Sequence, residues 1–267
     1  MADAAHVAVG PAAASAPVPR PRTVELMWRQ YRLERRLFWR NPSAAFFNFM
    51  LPLLFLALFG AIFHDQHSLN VIVPGIAGMS VMSTTFSSLA YKITFLREEG
   101  VLKRIRGTPL PGSAYLGGIM ASEVANTALQ IAIIVVSGKL FFGIDWPARW
   151  AELAVFVAVG VVCFGALGVA LAHAIPNFDS AAAYVNAVFL PTLFISGVFY
   201  DVKNVPLFLR DIAEALPLKH LIDGLSAAMV SGRGLSDNLS GLAVLGAWAA
   251  AGLFLAIRGF SWEQSRA

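Results

Sequence analysis

Of 267 residues, 57% are hydrophobic and only 13% charged, against about 25% charged in soluble domains, and the mean hydropathy is +0.67. That leaves too little polar surface for a water-soluble globule, so lipid must cover the rest. The formal charge of +4 would suggest nucleic-acid binding in a soluble protein, but here it suggests Lys and Arg gathered on one side of a membrane.

The chain reads as an all-α, polytopic membrane protein with six transmembrane helices. Residues 1–22, rich in Ala, Pro and Val, read as a disordered cytoplasmic tail. Residues 23–42 form an interfacial helix and 43–267 the transmembrane domain. Within Thr23–Arg40, Arg29, Arg32, Arg36 and Arg40 recur at helical spacing, while Trp28, Tyr31 and Phe38 take another face. Such an amphipathic helix lies in the membrane interface, with rings at the acyl boundary and guanidinium groups at lipid phosphates. It is either a generic anchor or a lever that meets a cytosolic partner. Asn41-Pro42 ends it.

The expected spans are Ala44–Phe63, Asn70–Tyr91, Ala114–Phe142, Arg149–Ile175, Ser180–Tyr200 and Leu239–Ile257. Val205–Val230 is apolar but broken by Pro206, Pro217 and charged residues, so it cannot span as one helix. Fourteen of the 20 Lys and Arg precede the first span, follow the second or follow the sixth, which puts both termini in the cytoplasm. The lone Cys163 lies in an apolar run, so no intrachain disulfide can form, as suits a bacterial inner-membrane protein.

The cytoplasmic loop after the second span contains Arg97-Glu98-Glu99-Gly100-Val101-Leu102-Lys103-Arg104-Ile105-Arg106-Gly107-Thr108-Pro109-Leu110. Gly100 breaks one helix and Gly107-Thr108-Pro109 stops the next, leaving a helix of about two turns. Val101, Leu102 and Ile105 share a face suited to a groove on a soluble partner; otherwise the loop is merely positive-inside.

On the third span, Glu123, Asn126, Thr127 and Gln130 form a polar stripe. A charge there is costly and faces water or the bundle interior, so the stripe either lines the transport path or dimer seam, or is an internally paired structural group. Gly165, Gly168 and Ala172 make a small-residue face for close packing on the fourth span. His64-Asp65-Gln66-His67 has metal-ligand character but reads as a solvated loop, and no metal is assigned. No G-x-x-x-x-G-K-[ST] phosphate loop occurs, so this motif gives the chain no ATP-hydrolysing site of its own.

Arg97–Leu110 resembles the R-E-x-G-x-L-x-R-x-R-x-T-P-L stretch of ABC-2 transporter permeases, especially their antibiotic-exporting branch. Ile195-Ser196-Gly197-Val198-Phe199-Tyr200 and Leu216-Pro217-Leu218-Lys219-His220-Leu221-Ile222-Asp223-Gly224-Leu225 are similar to the family's S-G-x-F and P-L-x-x-x-x-D-G-L segments. A proline usual after S-G-x-F is missing near Asp201, and an arginine usual after D-G-L is Ser226. The resemblance implies a permease subunit of an ATP-driven exporter of hydrophobic or amphipathic compounds, or of a polysaccharide or lipid-linked glycan. It implies a second permease copy or homologue, and an ATPase subunit that binds ATP and Mg while this chain binds no cofactor. By the same resemblance, Glu98–Pro109 would be the coupling helix and Val205–Val230 an external re-entrant hairpin with Ser196, Gly197, Phe199, Pro217, His220 and Asp223 around it. A membrane-embedded lipid-modifying enzyme is the competing class, but it would need acids or histidines clustered at one depth. An ATP-independent carrier would not need the Arg97–Pro109 helix.

Overall fold

The computed structural model describes residues 22–63, 65–108, 110–202 and 205–259. The expected tail up to Pro21, and His64 and Pro109, lie outside these. All regular structure among the described residues is helical: α1 (Thr23–Arg40), α2 (Pro42–Ile62), α3 (Gln66–Met82), α4 (Ser88–Glu98), α5 (Val101–Arg106), α6 (Gly112–Phe142), α7 (Trp150–Ala174), α8 (Phe178–Ile195), α9 (Leu207–Ala215), α10 (Pro217–Ser226) and α11 (Leu239–Gly259). Six helical segments are long and apolar enough to cross a membrane.

The second crossing is the central post. It runs through Gln66–Glu98, with 83% of its most apolar window buried, against 22% for α2, 17% for α8 and 22% for α11. It is longer than the expected Asn70–Tyr91, because a π-turn at Ser83–Ser87 joins α3 to α4 without ending the helix. Thr85 Oγ1 donates to the Val81 carbonyl at 2.6 Å within this turn. The turn is where α7 comes closest, since a Cβ on Gly168 would lie 2.4 Å from the Phe86 carbonyl oxygen.

The fifth crossing is shorter than the expected Ser180–Tyr200. It stops at Ile195 because Gly197, at φ +78°, turns the chain in a backbone conformation that side chains disfavour. The turn then presses on the central post: a Cβ on Gly75 would sit 2.0 Å from the Val198 carbonyl oxygen.

One end of the bundle gathers α5, the start of α6, the α7–α8 turn and the C-terminal part of α11, around Leu89, Ile93, Leu102, Tyr115, Ile119, Val169 and Ala256. The opposite end carries α9, α10 and the loop before α11, where Arg149 Nε donates to the Gly232 carbonyl at 2.7 Å. Asp65 caps α3 at that end by accepting from the Ser68 backbone N–H at 2.8 Å, which holds its carboxyl below the usual carboxylate range. Among the described residues no three His, Cys, Asp or Glu side chains cluster to hold a metal.

Candidate functional site

Gly100 adopts φ +67° and ends α4 cleanly, so the chain restarts as α5 at Val101. Gly107 closes α5, and Thr108 Oγ1 donates to the Ile105 carbonyl at 2.6 Å. The inward face of α5 is filled by the chain itself. Leu102 is 2% exposed against Leu89, Ile93, Tyr115 and Ile119, and Ile105 packs half-buried on the same cluster. The expectation that Val101, Leu102 and Ile105 present an apolar face to a partner is therefore corrected for Leu102, which anchors α5 to its own bundle, whereas Val101 and Ile105 are half-buried. Lys103, Arg104, Gly107 and Thr108 are exposed, and Val101 is half-buried.

Just before α5, two side chains hold the α7–α8 turn. The Arg97 guanidinium donates to the Ala172 carbonyl at 2.9 Å and also to the Ile175 carbonyl. Glu98 Oε2 accepts from the Phe178 backbone N–H at 2.6 Å. Phe95 meets Phe178 edge-to-face, with ring centroids 5.4 Å apart.

A second polar group joins α1 to α4 and α6. Glu34 is 6% exposed, forms an ion pair with Lys92 and accepts from Gln30 Nε2 at 2.9 Å. Arg35 donates to Asn126 Oδ1. Gly117 and Gly118 admit α1 closely, since a Cβ on Gly118 would lie 2.5 Å from Gln30 Cβ. Further along α6, Gln130 donates to the Asn48 carbonyl and accepts from Thr84 Oγ1, both at 2.6 Å. Glu123, Asn126, Thr127 and Gln130 are all buried inside the single chain. Within the chain, α1 reaches Asn126, while α2 and the π-turn reach Gln130.

At the opposite end, Phe199 stacks on Phe59 with centroids 4.7 Å apart. α9 and α10 meet at Leu216–Pro217, a pair of short helices rather than a span. A His220 ring nitrogen bonds the Glu214 carbonyl at 2.8 Å, and Trp248 Nε1 donates to the Ala215 carbonyl at 2.9 Å. A polar pocket of about 360 Å³ opens among Ser196, Asp201, Arg210, Lys219, Asp223 and Arg233. Lys219 pairs with Asp223 across its wall.

The profile of the ABC-2 type transporter family matches residues 22–230, which takes in α1, the central post, α5 and the α9–α10 pair. The chain belongs to the ABC-2 type transporter family. As an ABC-2 permease it is a transport protein rather than an enzyme, and the family works with an ABC ATPase. It is similar to the inner membrane transport permease YadH of Escherichia coli (strain K12), at 24% identity over 64% of this chain and 68% of that one. It is also similar to the linearmycin resistance permease protein LnrN of Bacillus subtilis (strain 168), at 26% identity over 65% of this chain and 46% of that one. Nodulation protein J of Sinorhizobium fredii is 27% identical over 63% of this chain and 65% of its own length.

For this ABC-2 permease, sequence reasoning found α5 and the α6 stripe but missed Glu34, Arg35, Lys92 and the turn-holding role of Arg97. Glu34 carried a signal: it is the one acid between Glu25 and Asp65, on a stretch of helix whose other charges are arginines. On α1, Trp28 stacks on Tyr31 at 5.0 Å and Arg32 lies over the Trp28 ring, while the Arg29 and Arg36 side chains are exposed. The expected interfacial face is thus the exposed one, and the other face of α1 is taken by α6.

Proposed function

We propose that this permease is the membrane subunit of an ATP-driven exporter that moves a hydrophobic or amphipathic compound out of the bacterial cytoplasm. A separate ATPase subunit binds ATP and Mg and docks on α5. The observation that carries this reading is α5 itself: a six-residue helix fixed to the bundle by Leu102, with Lys103, Arg104 and Thr108 turned outward. A helix anchored on one side and cationic on the other transmits force from a soluble partner and steers an acidic docking groove toward itself. The end of the bundle carrying α5 is then cytoplasmic, as are both termini, and the α9–α10 pair forms the external hairpin. The exposed sides of α2 and α8 face a second permease copy or lipid. A relative named for linearmycin resistance supports a drug-like or lipid-like cargo. The test is copurification with the ATPase encoded beside the gene, followed by a screen for compounds that stimulate its ATP hydrolysis. Failure of any such ATPase to copurify would sink the reading.

A further inference from the structure

The α7–α8 turn lacks the means to satisfy its own helix ends. The last carbonyls of any helix need donors from outside it. Here α7 ends at Ile175 in an extended conformation, followed by Pro176, with no glycine to fold the chain back onto those carbonyls. Arg97 supplies the donors, bonding the Ala172 and Ile175 carbonyls. Asn177 caps the start of α8 by accepting from the Ser180 N–H at 2.9 Å, and Glu98 accepts from the Phe178 N–H beside it. A cation therefore sits at one helix C-terminus and an anion at the next N-terminus, each matched to the local helix dipole. Adjacent residues on a third helix hold both ends of the turn, and α5 begins after only Glu99 and Gly100.

The two helices leaving this turn are not equally free. α7 is buried along its length, at Leu153, Phe156, Val161, Phe164 and Val169 among others. α8 buries only Ala181, Val185 and Leu193. Within the chain itself, α8 is therefore the less tightly packed of the two helices.

We propose that Arg97 and Glu98 are positioning residues that lock the α7–α8 turn to α5, so that motion of a docked ATPase passes through them to the base of α8. The far end of α8 is the Ser196-Gly197 turn beside the outer polar pocket. The proposal rests on α5 being the docking helix. It also gives the Arg-Glu pair that opens the motif a separate task from the Lys and Arg that follow it.

Two measurements test this separately. In the permease alone, in everted membrane vesicles, a cysteine replacing the buried Ala181 at the base of α8 is labelled with a maleimide; the buried Cys163 gives little background. Arg97→Gln or Glu98→Ala should raise the labelling rate about five-fold or more, the scale of a lost helix cap. Glu98→Gln, which keeps an accepting oxygen, should restore most of the wild-type rate. In the purified permease–ATPase complex, a cysteine replacing the exposed Asn186 of α8 reports on that helix with and without ATP. ATP should change its labelling several-fold in the wild type and less than two-fold in Glu98→Ala, with the ATPase still bound. An unchanged rate at residue 181 overturns the proposal, and so does a wild-type residue 186 that ignores ATP. Release of the ATPase by Glu98→Ala also overturns it, because the pair would then belong to the docking surface. If no ATPase binds the wild type, the proposed function fails, and the residue 181 arm still decides whether Arg97 and Glu98 hold the turn.

Discussion

At Glu34 a carboxylate is 6% exposed on a helix where every neighbouring charge is basic, and Lys92 is its ion-pair partner. Deleting one member of a buried pair leaves the other charge uncompensated, at about 3 kcal/mol or more. Lys92→Met should therefore lower the thermal stability of the detergent-purified permease, and adding Glu34→Gln should recover most of the loss. Glycines give a sharper contrast. Gly168→Ala drives a Cβ against the Phe86 backbone and should destabilise by about 1–3 kcal/mol. Gly246→Ala, with nothing within 4 Å on helix α11, should stabilise by about 0.5–1 kcal/mol. Thermal unfolding of both variants should give shifts of opposite sign. The α6 stripe was legible because Glu123, Asn126, Thr127 and Gln130 share one face at helical spacing. Its partners were not, because Arg35, Asn48 and Thr84 lie on other helical elements and spacing along one helix does not say which helix packs against it.

Among the elements, α5 shows what a short amphipathic pattern reveals. Its limits were legible from Gly100 and Gly107, whose backbone freedom stops the neighbouring helices. Its apolar face was not assignable, since six residues reveal that a face is covered and not what covers it. The structure reverses the expected roles. Leu102→Ala opens a hole in the permease and should cost about 2–5 kcal/mol, seen as a lower unfolding temperature in the absence of any partner. Lys103→Glu with Arg104→Glu should leave that temperature unchanged and weaken ATPase capture, with the wild-type affinity falling toward the variant's as salt is raised. Normal capture by the charge-reversed variant would remove α5 from the docking surface.

For the molecule as a whole, hydropathy was enough to count the six candidate crossings found among the described residues, and the distribution of Lys and Arg supports the sidedness proposed above. Two ends shifted for backbone reasons that hydropathy does not register: the π-turn carries the second crossing on to Glu98, and Gly197 cuts the fifth at Ile195. The sidedness gives a direct expectation. Cysteines replacing Ser68 and Ser236 should react with an impermeant thiol reagent in intact cells, and one replacing Thr108 should react only after permeabilisation. Labelling at Thr108 in intact cells would invert the topology.

The seam between α1 and α6 also sets an order in time. Ribosomes deliver α1 first, yet Lys92 follows Glu34 by 58 residues and Asn126 follows Arg35 by 91. At about 5–20 residues per second, α1 waits roughly five to twenty seconds for the last of these groups. Until Lys92 is made, Glu34 has no buried counter-charge to meet. Chains truncated before Asn126 should accordingly leave α1 open to protease, whereas chains extending past α6 should protect it. The first helix made is thus among the later ones to find its place, and its docking marks a nascent chain whose first three crossings have been threaded.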